Sequence, residues 1–252
     1  MTRARVWAHV EERLRGGPVH MTLLDPATSS GKAGERIATL AAEAGTDAIM
    51  VGGSTDVSSE NLDELVLHVR EKTHLPVILF PSTASAMSPH VDAIWFLSVL
   101  NSRDPRMIVG EQARGAPLLR ALGTEAIPMG YLIVAPGMKV GQVSQADLIT
   151  RDAAGATRAA SLALAAEMFG MRVVYLECGS GAPEPCPVEI VRAVRAAIKI
   201  PLVVGGGIRS GAQAEAILAA GADILVTGTI AENGHFDRLG EVIAAVQKAR
   251  RA

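Results

Sequence analysis

Two stretches late in the chain bare their backbone where an anion could use it. Residues 203–211, VVGGGIRSG, carry two β-branched residues into Gly205, Gly206 and Gly207, and residues 224–229, ILVTGT, bring Gly228 and Thr229 to the same position after an apolar run. Glycines between a strand and a helix leave N–H groups unobstructed, and such groups hold anions, aided by the helix dipole. The main-chain N–H groups of Gly206, Gly207, Gly228 and Thr229 are therefore expected to surround one phosphate, with Arg209 supporting the loop. A second polar cluster stands earlier in the chain, where Asp25 is followed by Pro26 and Gly52-Gly53 by Ser54. A hard oxygen ligand beside a glycine turn suits Mg²⁺, which takes one or two carboxylates together with substrate phosphates. Asp25 and Ser54 are the candidate metal ligands. A third motif, YLECGSG at residues 175–181, contributes the carboxylate of Glu177 between the two anion sites.

These motifs all fall at the ends of short apolar runs. The runs are VHMTLLDP, DAIMVGGS, LPVILFPS, AIWFLSVLNS, AIPMGYLIVAP, RVVYLECGSG, IPLVVGGG and DILVTGT. Each is nearly continuous in aliphatic residues, as parallel strands covered on both faces should be. Segments such as GERIATLAAEAG and TRAASLALAAEMFG repeat apolar residues at helical spacing between them. Two of these helices are expected to end on Gly45 and Gly221, whose freedom at positive φ suits a C-cap. Eight strands with crossover helices fit a (β/α)8 barrel, in which the chemistry sits at the C-terminal strand ends; a doubly wound sheet is the alternative. One link is short. Between a third strand ending near Pro81 and a fourth starting near Ala93 lies only STASAMSPHVD. A parallel crossover generally needs about a dozen residues or more, usually a helix, so this one is expected to be irregular and to open the helical ring. No linker or composition break divides residues 1–252, which read as a single domain.

The chain is 49% hydrophobic but only 3% aromatic, so its core must be aliphatic and Ala-rich, and a net charge of −2 suggests no nucleic-acid or anionic-membrane partner. No apolar run approaches the roughly 20 residues of a membrane span. The opening MTRARVWAHVEERLRGG is charged and helical in pattern, without the apolar stretch of a signal peptide, which points to the cytoplasm. The spacing of Cys178 and Cys186 matches neither a redox pair nor a zinc clip.

In this order and spacing the motifs HMTLLDP, GTDAIMVGGST, FLSVLNS, GYLIVAPG, YLECGSGAP, VVGGGIRSG and VTGTIAENG resemble one family, the archaeal-type geranylgeranylglyceryl phosphate synthases with their bacterial heptaprenyl-transferring relatives. The resemblance spans nearly the whole chain. It implies a modified TIM (β/α)8 barrel with the third crossover helix replaced by a loop. It also implies transfer of a prenyl group from geranylgeranyl diphosphate to the 3-hydroxyl of sn-glycerol 1-phosphate, the first ether bond of archaeal-type membrane lipids. Carried over by motif, Asp25 and Ser54 would bind the Mg²⁺ that holds the diphosphate. Glycerol 1-phosphate would be bound by Tyr175, Leu176, Glu177, Cys178, Gly179, Ser180, Gly181, Gly206, Gly207, Gly228 and Thr229. Glu177 would hydrogen-bond the glycerol hydroxyls and accept a proton, and homo-oligomers are expected. The prenyl chain needs an apolar groove, expected near residues 82–91 with Trp95, Phe96 and Tyr131 close by. Lys32 and Lys139, in loops after the first and fifth strands, could meet diphosphate, although they read more simply as surface lysines.

Three other readings compete: the same reaction with a longer prenyl donor, a sugar-phosphate isomerase-like barrel, and a non-catalytic barrel that binds a phosphorylated metabolite. An isomerase could pair Asp25 with Glu177 but would leave Gly52 and Gly53 without a purpose.

Overall fold

The computed structural model describes residues 5–29, 31–53 and 59–250. Eight parallel strands close into one barrel in chain order: β1 (Val19–Leu24), β2 (Ala48–Val51), β3 (Val77–Leu79), β4 (Ala93–Val99), β5 (Glu125–Ile133), β6 (Val173–Glu177), β7 (Leu202–Gly205) and β8 (Ile224–Thr227). Helix α1 (Val6–Arg15) precedes the barrel. Around it lie α2 (Gly31–Ala44), α3 (Ser59–Lys72), α4 (Glu111–Leu122), α5 (Met138–Val143), α6 (Ala153–Met168), α7 (Val188–Ala197), α8 (Gly211–Ala219), α9 (Thr229–Glu232) and α10 (Phe236–Arg250). Sequence chemistry starts and stops these helices. Asp152 caps α6 by accepting from the Gly155 N–H, Ser210 caps α8 by accepting from the Gln213 N–H, and Gly45 and Gly221 follow α2 and α8 at φ +97° and +107°.

Burial divides the strands by parity. Val19, Met21, Met50, Ile78, Trp95, Ile127, Met129, Tyr131, Tyr175, Val203 and Val226 fill the barrel interior, while their strand neighbours pack outward under the helices. Helix α1 closes the N-terminal floor: Val6, Trp7 and Val10 join the interior set, and the Trp7 ring meets Trp95 edge-on at 6.3 Å.

No helix forms in residues 80–92, which connect β3 to β4. The short link seen in the sequence is therefore a real interruption of the helical ring. Strand β3 stops at Leu79 rather than near Pro81, so Phe80, expected on the strand, lies just past it. Among the described residues no helix is long and apolar enough to cross a membrane.

The outward face of β1 carries a buried imidazole. The His20 ring nitrogens lie 2.9 Å from the hydroxyls of Thr46 and Thr227, and its main-chain N–H donates to Asp47, which also pairs with Arg13 and Arg250. Burial pushes the His20 pKa down from 6.5 to about 4, against the opposing pull of Asp47 and with help from Arg250. The unfolded chain takes up this proton at a higher pH than the folded one. Stability from this site is thus complete above about pH 6.5 and lost as pH falls towards 4, by roughly 3 kcal/mol. Melting temperature followed over that window should drop more steeply for the native chain than for His20→Asn; parallel slopes would refute the assignment.

Candidate active site

The ends of β6, β7 and β8 form a polar cup. After β7 the backbone passes through Gly206 and Gly207 at φ +81° and +77°, in a region that side-chain-bearing residues rarely adopt. Each glycine also makes room for a neighbour. A Cβ on Gly205 would lie 2.1 Å from the Tyr175 hydroxyl, one on Gly206 2.4 Å from Glu177 Oε1, and one on Gly207 2.4 Å from the Glu184 carbonyl oxygen. The triple glycine therefore lets the β6 end and its loop close onto β7, and bares the backbone at the same place. Across the cup, the Thr229 hydroxyl lies 3.0 Å from the Ser180 hydroxyl and accepts from the Gly181 N–H at 3.2 Å. Ser180, Gly181, Gly206, Gly207, Gly228 and Thr229 all line this cavity. Arg209 borders it and braces it, donating to the carbonyl oxygens of Pro183, Gly181 and Gly207. The cup is thus rich in main-chain N–H groups and backed by a guanidinium, the setting a phosphate monoester needs.

Parity sorts the remaining residues of the Tyr175–Gly181 motif. Tyr175 and Glu177 face the cup, whereas Leu176 and Cys178 are fully buried in the outer layer. Cys178 there touches the thiol of Cys186, and both are free of any disulfide. Gly179 sits behind Glu177, its N–H donating to Oε1 at 2.6 Å.

Glu177 is buried at the centre of the site. Its carboxylate accepts from Gly179 N–H and from the hydroxyls of Tyr175 and Tyr131. Burial still dominates and pushes its pKa above the ordinary carboxylate range; the three hydrogen bonds only moderate the rise. Burial and the Glu177 charge hold both tyrosines far above pH 10, so each remains a donor. Tyr131, read from sequence only as a groove aromatic, is therefore part of the cluster around the Glu177 carboxylate. Its signal lies in the register: Tyr131 pairs directly with Tyr175 across β5 and β6, and Ile133 with Glu177. Phe80 completes the cluster at 5.5 Å from Tyr131 and 5.8 Å from Tyr175.

A second cavity leaves the barrel through the gap in the helical ring. Phe80, Pro81, Ala84 and Met87 of the irregular connection line one side, α4 with Gln112 and Gly115 the other, and Trp95 and Leu97 the inner wall. It is predominantly apolar and coincides with the groove expected near residues 82–91. It shares Leu23, Glu177 and Ser180 with the polar cup, so the two cavities meet at Glu177.

Gly53 lies at the mouth of this groove. A Cβ there would fall 2.4 Å from both carboxylate oxygens of Asp25, so the β2 turn approaches that carboxylate as closely as bare backbone allows. Ser54, the other expected metal ligand, lies outside the described residues. The sequence reading missed Glu232, whose Oε1 accepts from the Asp25 main-chain N–H at 2.9 Å. Lys32 lies on the exposed first turn of α2 rather than in a loop, Lys139 on α5, and neither lines the two cavities.

A profile of the PcrB family matches residues 8–249. The chain belongs to the PcrB family. Among its relatives, the geranylgeranylglyceryl phosphate synthase of Picrophilus torridus is 45% identical over 243 residues, covering 96% of this chain and 99% of the relative. That of Thermofilum pendens is 47% identical over 252 residues, covering 99% and 96%. The crystal structure of (S)-3-O-geranylgeranylglyceryl phosphate synthase from Thermoplasma acidophilum, in complex with substrate sn-glycerol-1-phosphate, is similar at a TM-score of 0.91 and 45% identity, over 95% of this chain and 97% of that one. PcrB membership bears out the resemblance carried by the strand-end motifs. In this PcrB chain those motifs converge on one mouth, with cup and groove joined at Glu177.

Proposed function

We propose that the chain is a geranylgeranylglyceryl phosphate synthase, transferring the geranylgeranyl group of its diphosphate to the 3-hydroxyl of sn-glycerol 1-phosphate. The observation that carries this reading is the meeting of the polar cup with the apolar groove at the buried Glu177 carboxylate. The cup takes the phosphate monoester and leaves the glycerol hydroxyl beside Glu177, and the groove takes the hydrocarbon. An isomerase of sugar phosphates has no use for the groove.

In the reaction the bond from C1 of the prenyl chain to the diphosphate oxygen breaks, and a new bond joins C1 to the glycerol oxygen. The hydroxyl proton passes to Glu177, whose raised pKa matches it to that task. Tyr131 and Tyr175 orient the carboxylate, and holding the hydroxyl against an allylic carbon contributes through proximity. Each methylene buried in the groove adds about 0.8 kcal/mol of donor binding. A geranylgeranyl rather than a heptaprenyl donor is supported by the likeness to the geranylgeranylglyceryl phosphate synthases of Picrophilus torridus and Thermofilum pendens. The Asp25 carboxylate, pressed against the bare Gly53 turn, fits a hard cation, and with Ser54 it would hold Mg²⁺. Bound there, Mg²⁺ supplies Lewis-acid stabilisation of the departing diphosphate. A cytoplasmic, homo-oligomeric enzyme completes the reading, supported by the family resemblance.

The test is transfer of labelled glycerol 1-phosphate into butanol-extractable product, with prenyl diphosphates from farnesyl to heptaprenyl and with or without Mg²⁺. Product is expected only with Mg²⁺ and most with geranylgeranyl diphosphate. Binding of glycerol 1-phosphate without product from any donor would overturn the reading.

A further inference from the structure

The reaction scheme leaves unused the Glu232 carboxylate, which contacts the turn carrying Asp25. Glu232 ends α9, the four-residue helix whose first turn forms the strand-eight side of the phosphate cup. Its Oε1 reaches over the seam between the neighbouring strands β8 and β1 to the turn after β1. There it accepts from the Asp25 main-chain N–H at 2.9 Å, the Thr28 hydroxyl at 3.0 Å and the Ser29 hydroxyl at 3.4 Å. Sheet register explains why a side chain is needed here. Pairing of β1 with β8 stops at Thr22 and Thr227, while β1 stays paired with β2 as far as Leu24 and Val51. Past that point the β8 side offers no strand partner to Asp25, and a half-buried strand end cannot leave an N–H unpaired without cost. Glu232 supplies the missing acceptor as a charge-assisted one.

The turn it holds has little freedom left. The Asp25 carbonyl accepts from the N–H groups of Thr28 and Ser29, and Asp25 Oδ1 accepts from the Ala27 N–H. With the main chain clamped by Glu232, the Asp25 carboxylate is set against the Gly53 turn, where less than the width of one methyl group separates them. We infer that Glu232 is a positioning residue for the diphosphate side of the site, aiming the Asp25 carboxylate and tying it through α9 to the cup that holds the acceptor's phosphate. The inference rests on the proposed role of Asp25 towards the metal-bound diphosphate.

The effect should be one-sided. The cup end of α9 is held independently, by Thr229 to Ser180 and Gly181, so it does not depend on Glu232. The test uses the full chain and the variants Glu232→Ala, Glu232→Gln and Asp25→Asn. Calorimetry with inorganic diphosphate plus Mg²⁺, and separately with glycerol 1-phosphate, is read beside the KM for each substrate. Glu232→Ala should weaken diphosphate binding and raise the donor KM by about tenfold, the scale expected when the Asp25 N–H loses its charged acceptor. Glycerol 1-phosphate affinity should stay within about threefold, because no cup contact is removed. Glu232→Gln, which keeps an oxygen for the Asp25 N–H, should recover most of the loss. Unchanged diphosphate binding in Glu232→Ala, an equal loss at both sites, or a glutamine variant as weak as the alanine one would each overturn the role. If Glu232→Ala does not fold, Thr28→Ala combined with Ser29→Ala loosens the same clamp; it should weaken diphosphate alone, and no change would overturn the role equally. Asp25→Asn separates the two claims. Loss of Mg²⁺-dependent binding there with Glu232→Ala intact refutes the positioning role only. Retention of binding in Asp25→Asn refutes the reading of Asp25, and the positioning role falls with it.

Discussion

Replacing Glu177 with glutamine should lower kcat by about 10²- to 10⁴-fold, the usual contribution of a positioned general base, while glycerol 1-phosphate still binds. The glutamine keeps the side-chain shape and the oxygen that accepts from the Gly179 N–H, so the cup is preserved while the proton acceptor is lost. The pH profile adds a second readout. Burial raises the Glu177 pKa, so the basic form is lost as pH falls through a value above the ordinary carboxylate range. The native enzyme should therefore show an acid limb in kcat/KM displaced upward from that range, and the variant should lack it. Full activity in Glu177→Gln, or an acid limb that survives the substitution, would reassign Glu177 to substrate binding alone.

The second large effect is expected at Gly206. Alanine there places a Cβ 2.4 Å from Glu177 Oε1 and 2.8 Å from the Gly179 nitrogen, at φ +81°. The left-handed conformation alone costs about 1–2 kcal/mol for a residue with a side chain. Overpacking against buried groups adds about 1–3 kcal/mol. A combined cost near 3 kcal/mol should weaken glycerol 1-phosphate binding by about a hundredfold. Gly181 is the matched control: its φ is +76°, yet a Cβ there meets nothing within 4 Å. Gly181→Ala should therefore show only the conformational part, about tenfold. Equal losses in the two variants, measured by calorimetry, would show that crowding at Glu177 plays no part.

Much of this site was legible along the chain. Continuous aliphatic runs marked parallel strands because both of their faces are covered; seven of the eight observed strands fall within the runs, and β5 begins one residue before its run, at Glu125. The missing helix between β3 and β4 could be counted from the length of the connection, since eleven residues (82–92) with a proline and two polar clusters fall short of the usual crossover. The paired glycine ends of β7 and β8 pointed to an anion because few other needs expose backbone at both places. Arg209 also holds its loops as expected.

Contacts between distant parts of the chain were not legible. Tyr131 donates to Glu177 from 46 positions away, and Glu232 accepts from the Asp25 N–H across 207. Nothing local marks either residue, because each acquires its partner only when the barrel closes. Facing was hidden for a related reason. A strand buried on both sides shows no alternation of apolar and polar residues, so YLEC reads alike in either phase. The residues along the chain pointed to a barrel, with a doubly wound sheet as the alternative, and to a gap in its helical ring and glycine-bared strand ends. Closure of the sheet decided the rest, because only its register turns Tyr175 and Glu177 inward, sends Leu176 and Cys178 under the helices, and brings the cup and the groove together on one carboxylate.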